Sequence, residues 1–214
     1  MQTALPEPRK ASRPRADALR NRERIVAAAR EMFVEFGPDV PLDEIARRAG
    51  VGNATVYRNF PDRDALVREV VCSVMDRMAA AAEDALAETG DAFEALERFV
   101  HTAADVRISA LCPMVSSAFD SHHPDLEAAR GSCESLVEEI MDRARTAGQL
   151  RRDVSLGDLL VAVAQLSRPP AGTACFDIDP FVHRHLQLFL DGLRAPARSV
   201  LPGTALTMED LRQA

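Results

Sequence analysis

The stretch Pro41–Phe60 constrains this chain most, because two short apolar patterns there are separated by only Gly50-Val51-Gly52. Leu42, Ile45, Ala46 and Ala49 recur at the spacing of one helical face. Pro41 stands at the entrance, and Asp43 and Glu44 fall in the first turn, where the helix dipole favours acids. Val56 and Phe60 mark a second helix of about two turns, beginning at Asn53. Upstream, Ile25, Ala28, Ala29, Met32, Phe33 and Phe36 form one apolar stripe, predicting a helix from about Asn21 to Phe36 that Gly37-Pro38 stops. Downstream, Asp62 is placed to cap a long helix through Leu66, Val70, Val74 and Met78. Two short helices joined by so tight a Gly-containing turn make a helix-turn-helix.

Composition narrows the class. Of 214 residues, 47% are hydrophobic and 28% charged, as in a water-soluble globular protein. Ala, Leu, Arg and Glu dominate, Trp is absent and Tyr occurs once, so an all-α fold is expected. The longest apolar run, Leu159–Ala164, falls far short of the roughly 20 residues that span a bilayer. The first residues are rich in Arg, Pro and Ala without a continuous apolar core, which argues against a signal peptide and for a cytoplasmic protein. Cys72, Cys112, Cys133 and Cys175 show no C-x-x-C spacing and read as reduced, mostly packed thiols. The net charge of −7 is unevenly spread: residues 1–63 carry 12 basic and 9 acidic side chains, the remainder 14 and 24. A basic head on an acidic body points to a local nucleic-acid contact.

The segment "LDEIARRAGVGNATVYRNFPDRDAL", within a match from about Arg22 to Val71, resembles the DNA-binding domain of TetR/AcrR-type transcriptional regulators. Two positions depart from that pattern. Pro41 stands where the family often has a capping Thr, and Arg63 where it usually has Lys. The resemblance implies double-stranded operator DNA as a partner, with the second short helix in the major groove. In that helix the chemistry of the side chains agrees. Thr55 and Tyr57 offer hydroxyls to phosphates, the amides that begin at Gly52 and Asn53 face an anion well, and Arg63 suits a phosphate. Asn53, Arg58 and Asn59 suit base edges, and Ala54 a thymine methyl. One of Arg47 and Arg48 is expected to meet phosphate.

Further amphipathic helices are expected at about 63–88, 91–106, 108–119, 124–148, 155–168 and 179–194. The last two are apolar over a wide arc, which asks for a partner beyond their own core. The resemblance implies that they build a four-helix bundle across a two-fold axis, with Leu159, Leu160, Val163, Leu186 and Phe189 as interface candidates. It also implies an effector pocket among the middle helices, for which Phe93, Phe99, His101, Arg107, Met114, Phe119 and Met141 are candidates. The adjacent His122 and His123 point in different directions, so no metal is expected there. No P-loop, Gly-x-Ser-x-Gly or His-Glu-x-x-His motif occurs, and neither a cofactor nor an enzymatic activity is expected.

These readings divide the chain into a flexible basic arm (1–18), a three-helix helix-turn-helix domain (19–64, motif about 41–60), a helical ligand-binding and dimerisation domain (65–194) and a loose tail (195–214). The function expected is that of a homodimeric, sequence-specific transcriptional regulator, a repressor released from its operator by a small molecule. The alternative is an architectural DNA-binding protein without an effector.

Overall fold

The computed structural model describes residues 13–37, 39–106, 123–167 and 179–213. They are helical, without a named strand among them, as the all-α expectation requires. We number the helices in order: α1 (Arg13–Phe36), α2 (Leu42–Ala49), α3 (Asn53–Asn59), α4 (Arg63–Ala87), α5 (Ala92–Asp105), α6 (Pro124–Thr146), α7 (Leu156–Leu166), α8 (Asp179–Leu193) and α9 (Met208–Gln213). The chain divides into two compact units, Met1–Leu66 and Val67–Ala214. The first twelve residues of the expected arm and the helix expected at 108–119 lie outside the described residues.

In the first unit α1, α2 and α3 pack on one another. Ile25, Ala29, Phe33, Ile45, Val56, Phe60 and Leu66 are buried almost completely at their centre. The apolar stripe on α1 is the expected one, but the helix starts at Arg13 rather than Asn21, so residues 13–18 are helix and not arm. Periodicity could not show this, because residues 16–20 are exposed and bury no apolar side chain. Pro41 begins α2 without a side-chain cap. Gly50 closes that helix in the left-handed region (φ 64°), and Val51 N–H then donates to Ala46 O at 3.0 Å. Arg24 completes the turn, its Nη2 donating to Ala49 O at 2.5 Å and to Gly50 O at 3.1 Å. Asp62 caps α4 as expected, accepting from Ala65 N–H at 2.7 Å.

In the second unit α5 packs on α6, α7 and α8, and α7 on α6, α8 and α9. Phe93, Leu96, Val100, Leu126, Ile140, Met141, Leu186 and Leu190 form its core. The segment after α8 is not a loose tail. The buried Arg151 holds Asp153 through two bonds of 2.7 and 2.9 Å and donates to Gly192 O and Ser199 O. Leu206 N–H donates to Asp158 Oδ1 at 3.2 Å, and α9 follows. The Pro and Gly residues that suggested a loose end give irregular backbone, but its polar groups are bonded to Gln149 and Arg151 ahead of α7 and to Ser155 and Asp158 at its start. Cys133 is buried and Cys72 partly so, both as free thiols; Cys112 and Cys175 lie outside the described residues. Among the described residues no helix is long and apolar enough to cross a membrane, and no group of three or more His, Cys, Asp or Glu could hold a metal.

Replacing Gly50 by Ala imposes the left-handed cost of about 1–2 kcal/mol, and the new Cβ would lie 2.6 Å from Arg24 Nη2. Urea unfolding followed by the fluorescence of Tyr57, the one tyrosine in a chain without tryptophan, is expected to show the first unit destabilised by about that amount. Gly52→Ala, with nothing within 4 Å of its Cβ, should lose clearly less.

Candidate functional site

The exposed side of α3 carries the candidate contacts, because the helix spends only Val56 on the core and hands the next turn to the buried Phe60. Gly52, Asn53, Ala54, Tyr57 and Arg58 are exposed on this surface, while Thr55 and Asn59 are half-buried. Tyr57, at 54% exposure, is not a core aromatic. Arg58 lies back along its own helix, Nε donating to Ala54 O at 3.0 Å and Nη2 to Thr55 Oγ1 at 3.2 Å. These bonds are local and exposed, so exchanging them for a base edge costs little.

Two candidates hold other bonds. Asn59 donates from Nδ2 to Thr55 O at 2.7 Å, while its own carbonyl accepts from Arg22 Nη1 at 3.0 Å. Arg63 is half-buried: Nη1 donates to Val40 O at 2.7 Å, and Cζ lies 5.7 Å from the centre of the Phe33 ring. Arg63 acts as scaffold first, which spacing along the sequence could not reveal because its partner is a carbonyl 23 positions away, whereas the Asn59 side chain makes only a local bond of the kind Arg58 makes. The basic pair on α2 also separates. Arg48 bonds Glu31 and Glu35 of α1 at 3.5 and 3.1 Å, whereas Arg47 pairs with Glu44 one turn before it and keeps an exposed guanidinium. Arg47 is therefore the cation of the pair that faces outward.

Sequence reasoning missed Arg22 and Arg24. Arg22 stacks its guanidinium 4.5 Å from the Phe60 ring centre while bonding the end of α3; Arg24 closes α2. The available signal was two arginines one turn ahead of the α1 apolar stripe.

The second unit holds a cavity of about 180 Å3. Its wall comes from Val71, Val74, Met75 and Met78 of α4, Phe99 and Ala103 of α5, Cys133 and Val137 of α6, Leu156, Leu159, Leu160, Val163 and Ala164 of α7 and Met208 of α9, with Arg130 and Glu134 also on the α6 side. Of the expected pocket residues that are described, Phe99 lines it and Phe93, His101 and Met141 do not. Phe93 is buried beneath the Arg194 guanidinium, 4.2 Å away, and Met141 lies in the core. His101 faces α8 instead, its Nδ1 2.9 Å from His183 Nδ1 and its Nε2 3.2 Å from Gln187 Oε1. Arg107, Met114, Phe119 and His122 lie outside the described residues. His123 begins α6, its Nδ1 accepting from Asp125 N–H.

Burial also corrects the expected interface. Leu159, Val163 and Leu186 are at most 4% exposed within a single chain, and Leu160 lines the cavity. The apolar side chains that α7 and α8 leave open are Val161, Leu188 and Phe181, the latter two more than half exposed, with Phe189 partly covered beside them.

Two family profiles match the sequence. "Bacterial regulatory proteins, tetR family" covers residues 25–70, and "Transcriptional regulator SbtR-like, C-terminal domain" covers residues 91–195. A TetR transcriptional regulator from Streptomyces coelicolor, SCO0520, has a similar structure (TM-score 0.61) and 34% identity, over 82% of this chain and 99% of that one. The HTH-type transcriptional repressor LfrR of Mycolicibacterium smegmatis is 32% identical over 59% of this chain and 66% of its own length. The crystal structure of LfrR in complex with proflavine shares the fold with a TM-score of 0.65 at 24% identity, over 86% of this chain and 99% of that one. The chain spans between 31% and 66% of the length of LfrR and the other curated relatives it is compared with.

Proposed function

The chain belongs to the tetR family of bacterial regulatory proteins, and we propose that it is a sequence-specific transcriptional repressor that leaves its operator when a small molecule occupies the cavity of the second unit. One observation carries the reading: α3 keeps a single buried side chain and presents Asn53, Ala54, Tyr57 and Arg58 together on an exposed surface beside the outward Arg47. Arg58 and Asn53 supply base-edge chemistry, Tyr57 and Thr55 hydroxyls for phosphate, and Arg47 a phosphate cation. Asn59 adds a further base-edge amide, and Arg63 supports the helix that does this.

The molecule acts as a homodimer in this reading, because two recognition helices must meet successive half-sites in the major groove. The second copy covers Val161, Leu188 and Phe181. The effector acts through α4, which supplies four residues to the cavity wall and begins at Arg63, one helix after α3. A ligand that favours one position of α4 weakens DNA binding, and DNA weakens ligand binding to the same degree. LfrR, whose crystal structure holds proflavine, supports a ligand-responsive repressor over an architectural protein. The direct test is nuclease protection by the full-length protein on DNA flanking its own coding region. A discrete protected site supports the reading, and uniform protection without sequence preference overturns it.

Arg58→Ala is expected to relax preference at particular base pairs by about 1–3 kcal/mol while non-specific binding persists. Competition titrations with operator and random duplexes check this, and equal loss on both would make Arg58 a generic contact. Leu188→Asp places a charge on an exposed apolar side chain outside the protomer core. It is expected to yield a monomer in sedimentation velocity with unchanged helical circular dichroism and weakened operator binding. A dimer that persists in this variant and in Val161→Asp would move the interface elsewhere.

A further inference from the structure

The chain after α8 runs on beyond the family-matched residues 91–195, and it reaches the wall of the cavity at Met208. Ser155 Oγ donates to Leu206 O, and Asp158, in the first turn of α7, accepts from Ser155 N–H at 2.9 Å and from Leu206 N–H at 3.2 Å. Gly157 makes this approach possible: a Cβ built there would lie 2.1 Å from Leu206 O, so only a glycine lets this backbone rest on α7. Beyond it, α9 places Met208 in the cavity wall and sends Arg212 Nη2 to Glu134 Oε2 at 2.5 Å. Arg212 is the one partner of that carboxylate among the described residues, and Glu134 Oε1 is buried with none. Arg212 does not itself line the cavity.

We propose that residues 204–213 form a strap that closes the cavity, latched by Arg212 on Glu134, and that the cavity takes a compact, uncharged apolar molecule about one aromatic ring in size. This rests on the effector reading above and names the chemical class at that site. The size follows from volume, since an apolar cavity of about 150 Å3 holds benzene and this one measures about 180 Å3. The absence of charge follows from the wall. Among the described lining residues the two charged ones, Arg130 and Glu134, are of opposite sign one turn apart on α6, and the other side chains are aliphatic, aromatic or sulfur-bearing. A ligand of this kind needs no ion partner from the wall and enters when the strap lifts Met208 away.

Cys133 provides the readout. It lines the cavity, and burial, with Glu134 beside it, pushes its thiol up to about 11, so modification at pH 8 reports opening. The full-length protein is titrated with toluene by calorimetry, and Cys133 labelling by methyl methanethiosulfonate is timed by peptide mass spectrometry. The expected result is saturable toluene binding that slows labelling. Arg212→Gln, which removes the latch, and Gly157→Ala, which pushes Leu206 off α7 while keeping a good helix former, should each speed labelling by about threefold to fivefold with unchanged circular dichroism. If toluene binds yet neither variant alters labelling, the strap is overturned and the cavity stands. If toluene neither binds nor protects Cys133, the apolar-ligand assignment fails whatever the variants do. Benzoate binding tighter than toluene would overturn the uncharged class and make Arg130 the ligand's partner.

Discussion

Arginine side chains that reach across the chain to carbonyls at or near helix carboxyl ends hold this protein together. A helix leaves its last carbonyls without intrahelical partners, and here guanidinium groups from distant residues take them. Arg24 bonds the end of α2 and Arg22 the end of α3. In the second unit Arg143 bonds Leu86 O near the end of α4 at 2.7 Å, and Arg151 bonds Gly192 O near the end of α8. Of the 26 basic residues in the sequence only Lys10 is a lysine. The planar, multi-donor guanidinium bonds one carbonyl while stacking on a ring or pairing with a carboxylate, which an ammonium does poorly. Arg22 over Phe60 and Arg151 on Asp153 do both at once.

That constraint sorts the basic residues of the first unit. Arg22, Arg24 and Arg63 are spent on the scaffold and Arg48 on the acids of α1. Arg47 and Arg58 remain exposed with only short-range bonds. Among the described arginines, a count of positive charge along residues 22–63 therefore overstates what the surface offers to an anion.

The turn, α3 and the burial of Val56 and Phe60 were legible in the sequence because each depends on neighbours within a few residues. The long-range bonds at Asn59 and Arg63 were not, since Arg63 bonds a carbonyl 23 positions away and Asn59 offers its own to an arginine 37 positions away. The docked tail was illegible for the same reason: Gly157 reads as an ordinary weak spot in a helix until Leu206 lies against it. Apolar periodicity reports that a side chain is covered and says nothing about what covers it.

The helix α7 shows how that ambiguity resolves. Its wide apolar arc demanded a partner beyond the immediate core, and a second protomer was one answer. Most of the arc is instead met within the chain. Leu159 and Val163 are buried, and with Leu156, Leu160 and Ala164 they wall the cavity, leaving Val161 as the large apolar side chain still exposed. A cavity and an interface compete for the same apolar residues, so enlarging one on α7 narrows the other. Leu188 and Phe181 on α8 make up the difference, which places the apolar surface available to a second copy on α8 more than on α7. The face of α7 that walls the cavity shares it with α4, α5, α6 and Met208 of the strap, so in the ligand-responsive reading proposed above any molecule that disturbs the packing of α7 disturbs α4 and the strap with it.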